Sequence, residues 1–206
     1  LVFSDYTSER LYREGGTRAS IDPCFPSKLG IPHVHNLVFV KHAQRPLDAI
    51  IFPMLDDLPT ELVATRACRV CPTITATATS VRAAFVKDGD TFAEKGIRFL
   101  TPFFNLAQPA LFECQIYDQL KELLGLSRAE NARAVRAGYA ALARFKQSIR
   151  ERAAVALARL EAEERVGIVL LGRPYHADPG VNHGILVELQ KRGYPIFTAE
   201  SLPIDK

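Results

Sequence analysis

Two cysteines stand beside prolines, in a setting that suits thiolate ligands. Cys24 lies in the run Asp-Pro-Cys-Phe-Pro-Ser-Lys, and Cys71 lies in Cys68-Arg-Val-Cys-Pro. Because proline has no N–H and a fixed φ, it can shape a loop around an inorganic cluster. A single C-x-x-C pair also occurs in zinc sites, in redox sites and in loops without chemistry, so its spacing leaves these alternatives open. Cys24 and Cys71 are therefore candidate metal ligands, with Cys68 as a further candidate.

The fourth cysteine, Cys114, lies among apolar residues in a segment that reads as a helix. A thiol in such surroundings usually packs as a small hydrophobic side chain. We expect Cys114 to be buried and chemically inert.

A second candidate site is the run Gly172-Arg-Pro-Tyr-His-Ala-Asp-Pro, which follows an apolar strand pattern. Ligands of open α/β sheets bind beyond the carboxyl ends of the strands. Arg173 could bind a carboxylate or a phosphate through two N–H groups, and His176 could transfer a proton. A purely structural loop, with the histidine held by the backbone, is the equal alternative. The other candidate ligand-binding residues of this segment are Tyr175, Asn182 and His183.

Several catalytic motifs are absent from the sequence. It has no G-x-x-x-x-G-K-[ST], no G-x-G-x-x-G and no G-x-S-x-G. The first two motifs cradle nucleotide phosphates and the third carries a hydrolase nucleophile, so neither activity has support here. We expect His35 and His42 to be surface or helix-capping residues.

The composition is that of an ordinary globular protein. The chain has 206 residues, of which 48% are hydrophobic and 24% charged, with a net charge of +3. Residues 127–165 hold nine basic and five acidic residues, a balance of +4, so the remainder has a balance of −1. One solvated helix face explains this excess better than a nucleic-acid surface does. Without a signal peptide or a run of about 18 apolar residues, the sequence predicts a cytoplasmic protein that does not enter the membrane.

The elements that must position these residues alternate between strand and helix, which predicts an α/β fold. A first lobe over residues 1–115 would contain a strand at the opening Leu-Val-Phe, a helix over 33–42, a buried strand over 48–55, a helix over 79–85 and a strand over 98–104. A helical connector over residues 116–165 would follow, with a helix closing at Gly125 and a capping box formed by Ser127 and Glu130. Its predicted buried stripe consists of Val135, Tyr139, Leu142, Ile149, Ala153, Ala156 and Leu160.

The last segment, residues 166–206, predicts a βαβ unit that opens a second lobe. Its strands would cover residues 166–171 and 194–197, and its helix would run over 181–192 and end at Gly193. The expected architecture is two Rossmann-like three-layer lobes with parallel sheets, joined by a long α-helix. Because the chain does not begin with Met, we expect a piece of a longer polypeptide, truncated at both ends.

The motifs, taken in order, resemble a known family. They are the opening Val-Phe-Ser-Asp-Tyr-Thr-Ser, the Asp-Pro-Cys-Phe-Pro-Ser-Lys-Leu run around Cys24, the Cys71-Pro step, and the Leu-Gly-Arg-Pro-Tyr-His-Ala-Asp-Pro run with its later Asn-His-Gly-Ile. Together they are similar to the activator-related proteins of 2-hydroxyacyl-CoA dehydratases, also described as CoA-substrate-specific enzyme activases. The resemblance is to the dehydratase-like region of these bacterial proteins, not to their actin-like ATPase domain.

The resemblance implies a cofactor and partners. In the dehydratases a [4Fe–4S] cluster is held by cysteine thiolates between two lobes, and the activase uses ATP to drive one low-potential electron into it. Cys24 and Cys71 take the places of two family cysteines, whereas Cys68 has no counterpart, and a further cysteine is expected beyond residue 206. Lys28 stands in the same motif as Cys24 and is a candidate ligand-binding residue. The implied partners are the ATPase domain or subunit and an acyl-CoA-type substrate, with a homodimer left open.

The sequence differs from the family pattern at two places. The family usually has Gly-His after its Lys-Leu, whereas here Pro32 stands before His33. We also expect the opening strand and helix of the first lobe to be absent from this piece. The piece alone would then be inactive, and its ligand set incomplete. The alternative interpretation is a non-catalytic α/β module that binds an anionic or CoA-like ligand or docks a partner. Its cysteines would then be inert or would bind zinc.

Overall fold

The computed structural model describes residues 1–18, 24–60 and 68–202. The chain divides into two compact units, residues 1–135 and residues 136–206. The predicted boundaries near residues 115 and 165 stay a prediction.

The first unit alternates short helices and short strands. Its elements, in order, are α1 (Glu9–Gly15), a 3-10 turn (Gly16–Arg18), α2 (Phe25–Lys28), α3 (Gly30–His35), a π-helical segment (Asn36–Lys41), α4 (His42–Gln44), β1 (Ala49–Ile51), β2 (Met54–Leu55), α5 (Pro72–Val86), α6 (Thr91–Glu94), β3 (Arg98–Leu100), β4 (Phe103–Phe104) and α7 (Pro109–Leu124). The predicted helix over 33–42 is confirmed, although it changes from α to π geometry. The helix predicted over 79–85 is longer than expected, because Pro72 provides a favourable first turn.

The strands of this unit pair in parallel, as their unbroken apolar character predicted. Ile50 lies opposite Phe99 in the β1–β3 pair, and Met54 lies opposite Phe103 in the β2–β4 pair. The single strand predicted over 48–55 is divided at Pro53, which cannot donate to the ladder. The backbone pairing nevertheless continues on both sides of the proline, with N–O distances of 2.9 Å from Phe52 to Leu100 and 2.8 Å from Met54 to Pro102.

A hydrophobic core lies between this sheet and the helices α3, α5 and α6. Its buried members are Ile31, Val34, Val38, Ile50, Val81, Ala84, Phe85, Phe92 and Ile97. The rings of Phe92 and Phe99 stack with centroids 4.5 Å apart. Gly30 allows α3 to approach α5 closely, because a Cβ at this position would lie 2.9 Å from Val81 Cγ2.

The connection from α7 to the next helix forms as its local signals predicted. Gly125 ends α7 in the left-handed conformation, with φ of 62°. The helix α8 (Arg128–Ala162) then begins at a capping box. Glu130 accepts a hydrogen bond from the amide of Ser127 at 3.0 Å, and the amide of Glu130 donates to the Ser127 hydroxyl at 3.3 Å.

The second unit contains most of α8 and one βαβ motif. Its other elements are β5 (Ile168–Leu170), a 3-10 turn (Pro174–Ala177), α9 (Ile185–Lys191), β6 (Ile196–Thr198) and a second 3-10 turn (Ala199–Ser201). β5 and β6 pair in parallel, which confirms the predicted strand order. Ala153 and Leu160 of α8 pack with Phe197 of β6.

Three expectations are wrong. Residues 1–8 form no strand, because the opening segment makes polar side-chain contacts with α3 and the π-helical segment instead of entering a sheet. Leu142, predicted in the buried stripe of α8, is 42% exposed, whereas Val135, Ala153 and Leu160 are buried as expected. Cys114, predicted to be buried, is exposed on α7, because the apolar residues beside it in sequence point to other sides of the helix.

Within residues 1–18, 24–60 and 68–202, no helix combines the length and the apolar character needed to cross a lipid bilayer.

Candidate functional site

Cys24 stands at the start of a helix. It is the residue before α2, in an extended conformation with φ of −125° and ψ of 110°, and its carbonyl accepts the first helical hydrogen bond from the amide of Lys28 at 3.1 Å. Pro26 lies in the first turn, where a missing N–H costs nothing. The side chain of Cys24 is half-buried. The residues before it, 19–23, lie outside the described part.

Cys71 occupies the equivalent place on a second helix. It precedes α5 directly, and its carbonyl accepts hydrogen bonds from the amides of Ile74 and Thr75 at 2.9 and 3.1 Å. Pro72 is the first helical residue, and the thiol is exposed. Cys71 therefore stands where the dipole of the 15-residue helix α5 favours a negative group.

Cys68 reaches the same region through a short antiparallel bridge. Its carbonyl accepts from the amide of Leu58 at 3.0 Å, and the amide of Val70 donates to Asp56 at 2.7 Å. Asp56–Leu58 directly follow β2, so Cys68 and Cys71 lie on the segment that pairs beyond the carboxyl end of that strand. This is the edge at which parallel α/β sheets bind ligands.

The two helices that begin at cysteines pack against each other. Ser27 of α2 and Thr77 of α5 are both buried, and their hydroxyl oxygens are 2.8 Å apart. Ser27 is three residues beyond Cys24, and Thr77 is six residues beyond Cys71. Lys28, half-buried, occupies the last turn of α2.

These thiols do not form a complete metal centre by themselves. Within the described ranges, no three His, Cys, Asp or Glu side chains are grouped so that they could hold a metal ion. All four cysteines are thiols and none forms a disulfide.

The second candidate site lies in the second unit, where the run after β5 folds into a 3-10 turn. The amide of Arg173 donates to Nδ1 of His176 at 3.0 Å, and the amide of His176 donates to the carbonyl of Arg173 at 2.9 Å. Because Nδ1 accepts a hydrogen bond, the neutral imidazole carries its proton on Nε2. A Cβ on Gly172 would lie 2.6 Å from Nδ1 of His176, so this contact requires glycine. Arg173 and His176 are exposed.

Asn182 connects this turn to α9. Its side-chain amide donates to the carbonyl of His176 at 3.1 Å, and its side-chain oxygen accepts from the amide of Gly184 at 2.8 Å. The ring of Tyr175 lies 4.6 Å from that of His176. The exposed His183 has a positive φ of 53°, in the tight turn that delays the start of α9 to Ile185. The structure thus joins Arg173, Tyr175, His176 and Asn182 by direct contacts. His183 follows them in the turn before α9.

A polar cluster around His33 was not predicted as a site. Its Nδ1 is 2.8 Å from the hydroxyl of Ser4, and its Nε2 is 3.2 Å from the hydroxyl of Thr7. These contacts join residues nearly thirty positions apart, and the only sequence signal is the hydroxyl-rich opening segment. They anchor that segment on α3.

A second anchor lies one turn further along. Asp5 accepts hydrogen bonds from the side chains of Asn36 at 2.9 Å and Lys41 at 2.6 Å, while its own amide donates to the side-chain oxygen of Asn36 at 3.0 Å. These bonds, and that from Lys41 above all, lower the pKa of Asp5. The carboxyl group is therefore ionised at neutral pH and holds the opening segment in place.

The two remaining histidines differ from each other. Nδ1 of His42 accepts from the amide of Leu47 at 3.0 Å, so this residue caps a turn as predicted. His35 was predicted as a surface or capping residue, but it is half-buried, its ring lies 4.7 Å from that of Phe39, and Nδ1 has no hydrogen-bond partner among the described residues. Burial, with a smaller effect of Arg18, lowers the pKa of His35.

Comparison with known proteins places the chain in a family. No curated protein and no solved structure matches it. One family, described as the CoA enzyme activase uncharacterised domain (DUF2229), matches residues 1–202. The match covers both cysteine motifs and the loop around His176, and it confirms the resemblance to CoA-substrate enzyme activase-related proteins. The chain therefore belongs to the CoA enzyme activase uncharacterised domain family.

Proposed function

We propose that the chain is the dehydratase-like, iron–sulfur region of an activase-related protein, built from two Rossmann-like lobes. In this role it takes part in ATP-driven, low-potential electron transfer toward acyl-CoA chemistry. The observation that carries the proposal is the pairing of α2 and α5, two packed helices that each begin directly after a cysteine and have a proline in their first turn. Family membership supports the same role, since the family is that of a CoA enzyme activase domain.

The donor chemistry of these residues fits a [4Fe–4S] cluster, but their number does not complete one. Such clusters are held by cysteine thiolates, four in most cases. Cys24 and Cys71 would each supply one thiolate from a helix N-terminus, and Cys68 is a third candidate on the segment before Cys71. The remaining ligand would come from outside the described residues. When bound, the cluster supplies a one-electron carrier of low potential.

The residues of this chain would hold and shield such a group. The Ser27–Thr77 contact joins the two helices, and the prolines restrict the backbone in the first turn of each. ATP would be hydrolysed by an actin-like ATPase domain or subunit that is not part of this chain. An acyl-CoA would be the substrate of the assembled enzyme.

The loop after β5 supports a second candidate function, the binding of an anionic or CoA-like ligand. The hydrogen bond from the Arg173 amide orients His176 so that Nε2–H is the donor it can offer to a ligand. Arg173 makes no ion pair with any residue in the described ranges, so its guanidinium can bind an oxyanion. In this view the cysteines are inert or hold zinc.

Metal analysis of protein purified without oxygen separates the two functions. Iron, acid-labile sulfide and zinc would be measured after reconstitution with iron and sulfide, in excess 2-mercaptoethanol as a source of the missing ligand. We expect a brown protein that loses its iron in Cys24→Ser and in Cys71→Ser. Cys114→Ser, which removes an exposed thiol on α7, is the matched control and should keep the iron.

Zinc or no metal in the reconstituted protein would refute the iron–sulfur role. Iron that survives Cys24→Ser but is lost in Cys114→Ser would refute the ligand assignment. Binding of a CoA-like anion that is lost in Arg173→Gln, in a protein without iron, would favour the second function.

A further inference from the structure

Two exposed arginines line one pocket of the first unit. The pocket has a volume of about 390 Å³, and Arg82 of α5 and Arg98 of β3 line it together with Phe92 and Phe99. Within the described part of the chain, neither guanidinium has an ion-pair partner. Asp90 also lines the pocket, so the three charged side chains give a balance of +1. The pocket therefore favours an anion.

The carboxylate of Asp90 is already engaged. Its Oδ1 accepts hydrogen bonds from the amides of Phe92 and Ala93 at 3.1 and 3.0 Å, because Asp90 caps α6. Among the described residues, Asp90 forms no ion pair with either arginine. The guanidinium groups of Arg82 and Arg98 thus remain available to bind an oxyanion from solution.

Arg98 also lines a larger, mainly apolar groove of the first unit. The groove has a volume of about 710 Å³, and its charged lining residues are Arg45, Asp48 and Arg98. Its apolar lining includes Leu37, Leu47, Ile50, Leu123 and Leu124. Leu37 and Leu47 also pack on the hydrophobic core, which fixes one wall. Leu124 is 53% exposed and contributes an accessible apolar surface.

Arg98 lines both the pocket and the groove. Its backbone is held in the sheet opposite Ala49, and its amide donates to the carbonyl of Asp48 at 3.1 Å. We propose that the first unit binds an aliphatic chain with an oxyanion head group, a phosphate or a carboxylate. The head group binds Arg98 and Arg82, and the chain lies in the leucine-lined groove.

The two halves of the site make different contributions. Two guanidinium groups give charge-assisted hydrogen bonds to the head group, and losing one should weaken binding about tenfold. Burying each methylene of the chain should tighten binding about two- to fourfold. Affinity should therefore depend on both head-group charge and chain length. This site uses none of the cysteines, so it is independent of the iron–sulfur proposal.

Calorimetry with synthetic amphiphiles tests the proposal. The probes are hexyl, octyl and decyl phosphate, decanoate, decanol and inorganic phosphate, each below its micelle concentration. We expect binding that tightens from hexyl to decyl phosphate, with decanol and inorganic phosphate much weaker. Comparing the affinities of decanoate and decyl phosphate shows whether the site prefers a carboxylate or a phosphate head group.

Four variants locate the site. Arg98→Gln should weaken decyl phosphate about tenfold, and Leu124→Gln should reduce the gain per methylene. Arg152→Gln and Leu142→Gln replace exposed residues of α8 and should bind like the parent protein. Thermal unfolding of each variant confirms that it is folded.

Three results would overturn the proposal. They are equal affinity for decanol and decyl phosphate, unchanged binding in folded Arg98→Gln, and no binding of any probe at millimolar concentration. Cys71→Ser should bind the probes as the parent protein does, so failure of the iron–sulfur role would leave this result unaffected.

Discussion

The hydroxyl of Ser27 donates a hydrogen bond to the hydroxyl of Thr77, across 2.8 Å of the buried contact between α2 and α5. Ser27 is the donor because the Thr77 hydroxyl already donates its proton to the carbonyl of Thr73, at 2.8 Å. A hydroxyl has one proton, so Thr77 must accept from Ser27. The helices α2 and α5, which begin after Cys24 and Cys71, are thus joined by a buried hydrogen bond in which Ser27 is the donor.

Removing the acceptor should cost more than removing the donor. We expect Thr77→Val to lower the free energy of unfolding by about 1–3 kcal/mol, because the buried Ser27 hydroxyl loses its partner. Ser27→Ala should cost less, about 0.5–1.5 kcal/mol, because Thr77 keeps its bond to Thr73. Urea unfolding of both variants and of the double variant measures the coupling. Strictly additive losses would contradict this contact.

The capping box of α8 should stabilise the helix in a pH-dependent way. Ser127→Ala should cost about 1 kcal/mol of helix stability. Hydrogen bonds from the Ser127 hydroxyl and amide lower the pKa of Glu130 below its ordinary value of 4.5. The stability that the Glu130 carboxylate gives to the folded protein is therefore complete above pH 4.5. It is lost as the pH falls through the lower pKa that Glu130 has in the folded state. The difference in helical circular dichroism between the parent and Glu130→Gln, followed from pH 7 to 2.5, should shrink toward zero.

His35 should make the first unit less stable in mild acid. Burial lowers its pKa in the folded protein, whereas the unfolded chain binds a proton near the ordinary value of 6.5. Because the unfolded state then binds more protons, stability is complete above pH 6.5 and falls as the pH drops below it. We expect Tm to fall between pH 7.5 and 5 less steeply in His35→Gln than in the parent. His183→Gln, at an exposed histidine, is the control, and an equal slope in all three proteins would refute the assignment.

Gly172→Ala should release the ring of His176. The added methyl group would lie 2.6 Å from Nδ1, so the bond from the Arg173 amide cannot persist. Nitrogen NMR of the imidazole should then show a mixture of tautomers in place of the single Nε2–H form. Gly138→Ala, where a Cβ has no neighbour within 4 Å, should leave that spectrum unchanged. A single tautomer in Gly172→Ala would show that the backbone contact does not orient the ring.

Local signals predicted the element ends well. Gly125 and Gly193 end α7 and α9 with positive φ, and Ser127 with Glu130 starts α8, as expected from their residue types alone. The parallel pairing of β5 and β6 also followed from the sequence, since a strand–helix–strand run leaves few alternatives. Each of these features depends on a few neighbouring residues.

The features that the sequence did not predict depend on distant residues. The exposed positions of Cys114 and Leu142 depend on which side of a helix finds a partner, and a run of apolar neighbours does not determine this. The contacts of His33 with Ser4 and Thr7 join segments 26 to 29 residues apart. Arg98 lines both the pocket and the groove because of the register of its strand in the sheet, and no single sequence motif encodes that register.

The π-helical segment Asn36–Lys41 determines which of its side chains reach Asp5. In an α-helix each residue turns by about 100°, so two residues five apart point in directions about 140° apart. In π geometry the i to i+5 hydrogen bond brings the same two residues over one another. Asn36 and Lys41 are five residues apart, and both bind the one carboxylate. Wound as an α-helix, the same residues would turn Lys41 away from Asn36 and from Asp5, so the widened turn sets the register in which the opening segment aligns with α3.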